Sequence, residues 1–536
     1  MGVLEKTEEY MEKETVKQSS YPRVSPYLQM GRLPRLEAWF NIIAWSGFVA
    51  YFCYSTYWAS QEYVLKTRSP YLVPGYSFLG RMRDESNGEW EFMRGWSKII
   101  WPWFSIHIVL SLITRRIAFE YRFYILAQYG AVIVLYLMGY MAVLFLTVQC
   151  LVMFLVATVF RSALAVWAAS GGFLVFLNTN RFIEYLLTIS GMSTDEPTHY
   201  YLILYALLHT NTCYTSFCLE QCKHLQESEG KGEKARGRGF SFIDMLVYIF
   251  YLPVLFSGPL MTYDQFLLQT TLPRQPWTKS KVVNIVKDCL RVAFWILFIE
   301  ITLHYFYFSA LMSDPEVMDR LPRWALVGVG YCCGQFFMVK YVVVFGLPKV
   351  MTEFDQIKSA DRPKCISRIY LYSEMWKKFD VGLYHFIKRH IYVPVGGSRH
   401  GLLRQIIASF LCFVFVFMWH GMDYGILIWT ILNYLGILLE AMASQVTAIP
   451  SVKAFERRLL SPTNSRRLRA FVTIPSFAMS IFAIFVFFGG AEVAPIYYNK
   501  IACYGPAIVA VTAVLYTYIQ SSVEIAIFEA EKGKQN

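Results

Sequence analysis

From Tyr124 to Phe160 the chain carries no charged side chain at all. A helix needs about 20 apolar residues to cross a bilayer, so this run is too long for one crossing and reads as two helices joined near Gly139. Other apolar runs fall at Trp39–Trp58, Ile99–Ile113 (interrupted by Pro102), Ala163–Asn178, Tyr200–Cys218, Phe242–Leu260, Val292–Met312 and Trp324–Leu347. The C-terminal part adds Leu402–Trp419, Tyr424–Ala443, Ala470–Gly489 and Cys503–Ser522. Only 16% of the 536 residues are charged and 56% are hydrophobic, whereas soluble domains are about a quarter charged. The fold class expected is an all-α polytopic membrane protein, with about 10–12 spanning or re-entrant helices. No polar stretch is long enough for a separate soluble domain. One membrane domain is expected over residues 39–522, flanked by cytosolic tails at 1–38 and 523–536.

The formal net charge of +12 arises from 50 Lys and Arg against 38 Asp and Glu. Cytosolic loops of membrane proteins collect such charge, and no basic segment has the aromatic interleaving of a nucleic-acid module. No nucleic-acid partner is expected. The loop Val452–Arg469 holds six cations and only Glu456 against them, which places it in the cytosol. Counting spans back from it puts the turn Gly421–Asp423 in the lumen and the basic segment Lys349–Arg404 in the cytosol. Counting forward puts the C-terminus in the cytosol, where Lys532 and Lys534 fit a KxKxx retrieval signal for the endoplasmic reticulum. Met1–Arg35 is polar and has no apolar signal-peptide core, so the first span is expected to do the targeting. Gln221–Arg238 reads as a solvated connector. Eleven cysteines are scattered without paired CxxC spacing, so neither a zinc site nor a disulfide framework is indicated.

The stretch Pro363–Asn433 carries the chemistry. Trp376, Phe379, Leu383, Phe386, Ile387 and Ile391 recur at helical spacing on a segment too charged to span. Asp380 falls on its apolar side, where a carboxylate is either ion-paired, with Lys377 or Arg389 as candidates, or functional. Gly396 and Gly397 follow, flanked by Lys388, Arg389, Arg399 and Arg404. Exposed glycine amides with cations nearby suit phosphate groups, and an ordinary basic loop is the alternative. His420 closes the apolar run Leu402–Trp419. An ionisable residue there is either hydrogen-bonded between helices or functional, and imidazole can act as a base near neutral pH. Cys365, in Pro363-Lys364-Cys365, reads by itself as a free or palmitoylated cytosolic thiol.

The order Trp376-x-x-Phe379-Asp380-x-Gly382-Leu383, Tyr392-Val393-Pro394-x-Gly396-Gly397 and Trp419-His420-Gly421 resembles the core of membrane-bound O-acyltransferases. Val393–His400, Asp423-Tyr424 and Phe488-Gly489-Gly490-x-Glu492-Val493 resemble the hedgehog acyltransferase branch in particular. The match covers about Gly334–Glu492. The resemblance implies catalytic roles for His420 and Asp380 and an acyl-CoA gate at Trp376. It places the substrate contacts at Gly396, Gly397, Lys388, Arg389, Arg399, Trp419 and Asn433, and haem b on Cys365. Ile484 departs from the pattern, which has Asn there.

The implied activity is transfer of palmitate from palmitoyl-CoA, entering from the cytosol, to the N-terminal Cys amine of a hedgehog-like secreted protein in the lumen. The two substrates would meet in a tunnel within the endoplasmic reticulum membrane, with membrane lipid as a further partner of the chain. Relatives acylating a Ser hydroxyl or a lipid or glycerol acceptor set the alternatives. A transporter would need paired broken helices in related halves, which the sequence lacks. A catalytically inactive regulator is opposed by the retention of Asp380 and His420.

Overall fold

The computed structural model describes residues 31–66, 69–189, 197–230, 239–256 and 258–535. Its helices wear their apolar surface outward as well as inward. Along α3 (Arg122–Phe160), Val132, Leu135, Tyr136, Leu144, Leu155 and Val159 are exposed while Leu126, Val134, Leu146 and Met153 are buried. Apolar surface on this scale is stable only against lipid.

Eight helices among the described residues are long and apolar enough to cross a membrane, or nine if a pair bent by 76° counts as one span. They include α1 (Arg35–Lys66), α2 (Gly88–Ile117), α3 and, as one arm of the bent pair, α4 (Ala163–Leu177). The long helix α5 (Pro197–Gly230) follows. Further on come α6 (Lys279–Tyr305) and α7 (Arg323–Phe354), then the short α8 (Tyr372–Lys378) and α9 (Val381–Ile387). The C-terminal quarter is α10 (Leu402–Trp419), α11 (Tyr424–Ala448), α12 (Pro462–Tyr497) and α13 (Gly505–Gln535). A two-stranded antiparallel hairpin, Leu72–Pro74 with Met82–Asp84, links α1 to α2.

The expected set of ten to twelve spanning or re-entrant helices resolves in physical terms. The run Phe242–Leu260 breaks into Phe242–Ile249 and Leu252–Leu255, with Pro253 starting the second piece, and nearly all of it is buried in protein. Val292–Met312 breaks after Tyr305. The segment Tyr200–Cys218 lies within α5, which buries Thr210, Asn211, Thr212, Thr215 and Ser216. These polar residues face protein, where they find partners such as Ser170. The chain between Val452 and Arg469, expected as a loop, is the helix Pro450–Leu459 followed directly by the first turns of α12. The expected connector begins as helix, because α5 runs to Gly230; residues 231–238, the tail up to Met30 and Asn536 lie outside the described residues.

Two breaks position the later site. Non-helical backbone at Gly139 divides α3 where two helices were expected to join. Gly490 (φ 63°, ψ −161°) divides α12 in a conformation that only glycine adopts without strain. The core forms one cluster around α3 and α5, a second around α6 and α7, and a smaller third between α12 and α13.

Candidate active site

The turn between α10 and α11 is fixed from both sides. Gly421 and Met422 adopt positive φ, and Met422 N–H returns to Phe417 O at 3.3 Å. Asp423 then caps α11 by accepting from Ile426 N–H at 2.9 Å. From α4, Asn178 donates to Met418 O at 2.6 Å. His420 sits in this turn with Nδ1 2.8 Å from Val416 O. A carbonyl can only accept, so the proton is on Nδ1 and Nε2 keeps its lone pair. Sequence alone left His420 open between a packing role and a base; this tautomer leaves Nε2 with a lone pair that can accept a proton.

Asp380 opens α9 as its N-cap, with Oδ1 accepting from Leu383 N–H at 2.9 Å. The ion pair considered for it does not form: Lys377 pairs with Glu374 at 3.3 Å, and Arg389 pairs with Glu220 at 2.5 Å and Asp264 at 3.1 Å. Asp380 lies outside the eight spanning helices. Burial pushes its carboxyl up to about 6, with the Leu383 and Gly382 N–H groups opposing.

Aromatic rings join the two residues. Trp376, one turn before Asp380, donates from Nε1 to Asn433 Oδ1 at 3.3 Å and lies 5.8 Å from Trp429. Trp429 in turn lies 5.2 Å from the His420 ring. On the other wall Phe379 stacks on Phe337 at 5.3 Å, Phe337 meets Phe487 at 5.6 Å, and Phe487 meets His420 at 6.4 Å. Asp380, Tyr341 and His420 are surrounded by protein, yet each remains only half-buried. Trp419 lies 4.8 Å from His420, and its indole N–H has no partner among the described residues.

The glycine loop takes a different role from the phosphate cradle expected of it. Gly396 and Gly397 both have positive φ, Gly397 is buried against the Tyr392 ring, and Gly396 N–H already donates to Val393 O at 3.0 Å. The pair makes a tight turn. Arg389 is committed to its two carboxylates, whereas Lys388, Arg399 and Arg404 stay exposed.

Cys365 is half-buried and packs beside Phe379 and Ile366 on the second core cluster. Lys364 and Arg368, on either side of it in sequence, line a cavity of about 280 Å³ together with Lys378 and Glu529. Cys365 is not among the residues lining that cavity, and Glu529 already neutralises Lys364 and Arg368 while Glu374 holds Lys378, so the residues present do not form a haem site. Among the described residues no cluster of three or more His, Cys, Asp or Glu could hold a metal ion.

Sequence reasoning missed Trp429, Phe337 and Phe487, which carry no signal beyond being aromatic in apolar runs. It also missed Lys340, although a lone cation inside a span was a readable sign of function.

The model of MBOAT, the membrane-bound O-acyltransferase family, matches residues 162–483. The chain belongs to the membrane-bound O-acyltransferase family. Protein-cysteine N-palmitoyltransferase HHAT of Mus musculus is 31% identical over 450 residues, covering 84% of this chain and 89% of that one. Protein-cysteine N-palmitoyltransferase Rasp of Drosophila melanogaster is 29% identical, covering 78% and 80%. The mouse HHAT-like protein is 27% identical, covering 82% and 84%. The matched stretch holds Asp380 and His420 and ends one residue short of Ile484.

Proposed function

We propose that this enzyme transfers palmitate from palmitoyl-CoA to the N-terminal cysteine amine of a hedgehog-like secreted protein, in the membrane of the endoplasmic reticulum. The observation that carries the reading is the free Nε2 of His420 at one end of the ring contacts that run through Trp429 to Trp376. Similarity to two protein-cysteine N-palmitoyltransferases along most of their length supports the choice of acceptor.

The acyl-CoA head group is held from the cytosolic side by Lys388 and Arg399. Its chain passes Trp376, and the thioester lies between Trp429 and Phe487. An α-amine has a pKa near 8, so it arrives mostly as ammonium and gives one proton to water before it attacks. The neutral amine attacks the thioester carbon, the C–N bond forms and the C–S bond breaks. His420 Nε2 takes the second amine proton and passes it to the departing CoA thiolate. Trp419 N–H is placed to donate to the carbonyl oxygen as negative charge develops there. Asp380 shapes the start of α9 beside the entry, and Asn433 fixes the Trp376 ring.

The haem that the resemblance implies on Cys365 would have to displace the ion pairs of Lys364 and Arg368 with Glu529, and no step of the reaction depends on it. A colourless, active enzyme is expected; a Soret band lost in Cys365→Ser would overturn this.

The test of function offers purified enzyme labelled palmitoyl-CoA with a Cys-initiated peptide, a Ser-containing peptide or diacylglycerol. Label is expected on the first alone. Label on the lipid or the hydroxyl instead would refute the proposed acceptor.

A further inference from the structure

Glu89 lies in the first turn of α2, outside the stretch matched by the family model. Its carboxylate accepts from Tyr341 OH at 2.8 Å on one oxygen and from the Lys340 ammonium on the other. Both partners belong to the middle of α7, so the carboxylate is held rigidly. Lys340 is 2% exposed, but Glu89 keeps 21% of its side chain open. Here the anion alone is left open.

Glu89 is joined to the site through Tyr341, whose ring lies 5.7 Å from Phe379, the residue before Asp380. Tyr341 lies 4.9 Å from Phe337, which reaches His420 through Phe487. Glu89 is itself within electrostatic reach of His420, and Tyr341 within reach of Asp380. The acceptor proposed above approaches the His420 imidazole bearing a cation at its reacting nitrogen, which aromatic faces attract but only a carboxylate neutralises.

We infer that Glu89, braced by Lys340 and Tyr341, receives the N-terminal ammonium of the acceptor and places it beside His420 before its proton leaves. Glu89 is thus a positioning residue that selects an amine over a neutral acceptor. The inference rests on the amine-acceptor reading and extends it to a recognition element in the N-terminal half.

The experiment compares wild type with the paired variant Glu89→Gln, Lys340→Met, which removes the anion without stranding a buried cation. KM for a Cys-initiated peptide is expected to rise about tenfold, the equivalent of one charge-assisted contact. KM for palmitoyl-CoA should stay unchanged. A desamino peptide carrying a 3-mercaptopropionyl group in place of the first Cys should compete about tenfold more weakly than the Cys peptide against wild type, and equally well against the variant. An unchanged peptide KM, or an equal rise in both KM values, overturns the inference. If the paired variant does not fold, Tyr341→Phe carries the same test, with a smaller rise confined to the peptide KM. A wild-type enzyme that ignores the Cys peptide sinks the amine-acceptor reading itself, before any variant is made.

Discussion

An imidazole serves as a base only when one nitrogen is free, and a backbone carbonyl one helical turn back settles which nitrogen that is. Val416 O holds Nδ1 of His420, and the positive φ of Gly421 and Met422 turns the chain away so that the ring is not overgrown. Asp380 works under the opposite constraint, as a carboxylate sunk among Phe379, Leu383 and Tyr341. Its folded carboxyl titrates at about 6, above the ~3.9 of an unfolded aspartate. The folded state therefore binds the proton more tightly. The stability this adds is fully present below about pH 4 and is lost as pH rises through about 6. Thermal unfolding in detergent should show a loss of Tm across that window in wild type that Asp380→Asn lacks. An identical pH dependence in the two proteins would mean that Asp380 is solvated.

At the scale of elements, the site depends on where helices stop. Gly490 breaks α12 beyond Phe487, the ring that walls His420. A Cβ at Gly490 would meet nothing within 4 Å, so a substitution there acts through the backbone alone. Gly490→Ala should cost about 1–3 kcal/mol, read as a lower Tm, and wild-type stability would show that the break relaxes without strain. Much of this was legible in the sequence. Leu402–Trp419 is a helix with the bounds its apolar run suggested, and the Tyr124–Phe160 run divides at Gly139. The polar interior of α5 was not, because Thr210, Asn211 and Ser216 look unsuited to lipid until other helices cover them. Phe242–Leu260 misled in the other direction, since residues buried in protein are as apolar as residues facing lipid. Asp380 and His420 stood out as ionisable groups in apolar settings. Glu89 did not, because what defines it is Lys340 and Tyr341, some 250 positions away.

For the whole molecule, charged seams near the helix ends tie distant parts of the chain together. Arg467 of α12 holds Glu37 of α1, and Arg466 holds Glu524 of α13 at 2.6 Å. The rings between Trp376 and His420 run inside this frame, with the exposed cations Lys388 and Arg399 beyond one end and the Gly421–Asp423 turn at the other. In the proposed reaction, two substrates that cannot cross a bilayer are brought to one imidazole from opposite sides. Sealed vesicles with uniformly oriented enzyme test this most directly. Palmitoyl-CoA is supplied only on the face bearing Lys388 and Arg399, and the Cys-initiated peptide only on the face bearing the Gly421 turn. The account predicts steady palmitoylation of the peptide, reduced about 10²–10⁴-fold in His420→Ala with acyl-CoA binding intact. Transfer only when both substrates share one face, or at the wild-type rate without His420, would contradict it.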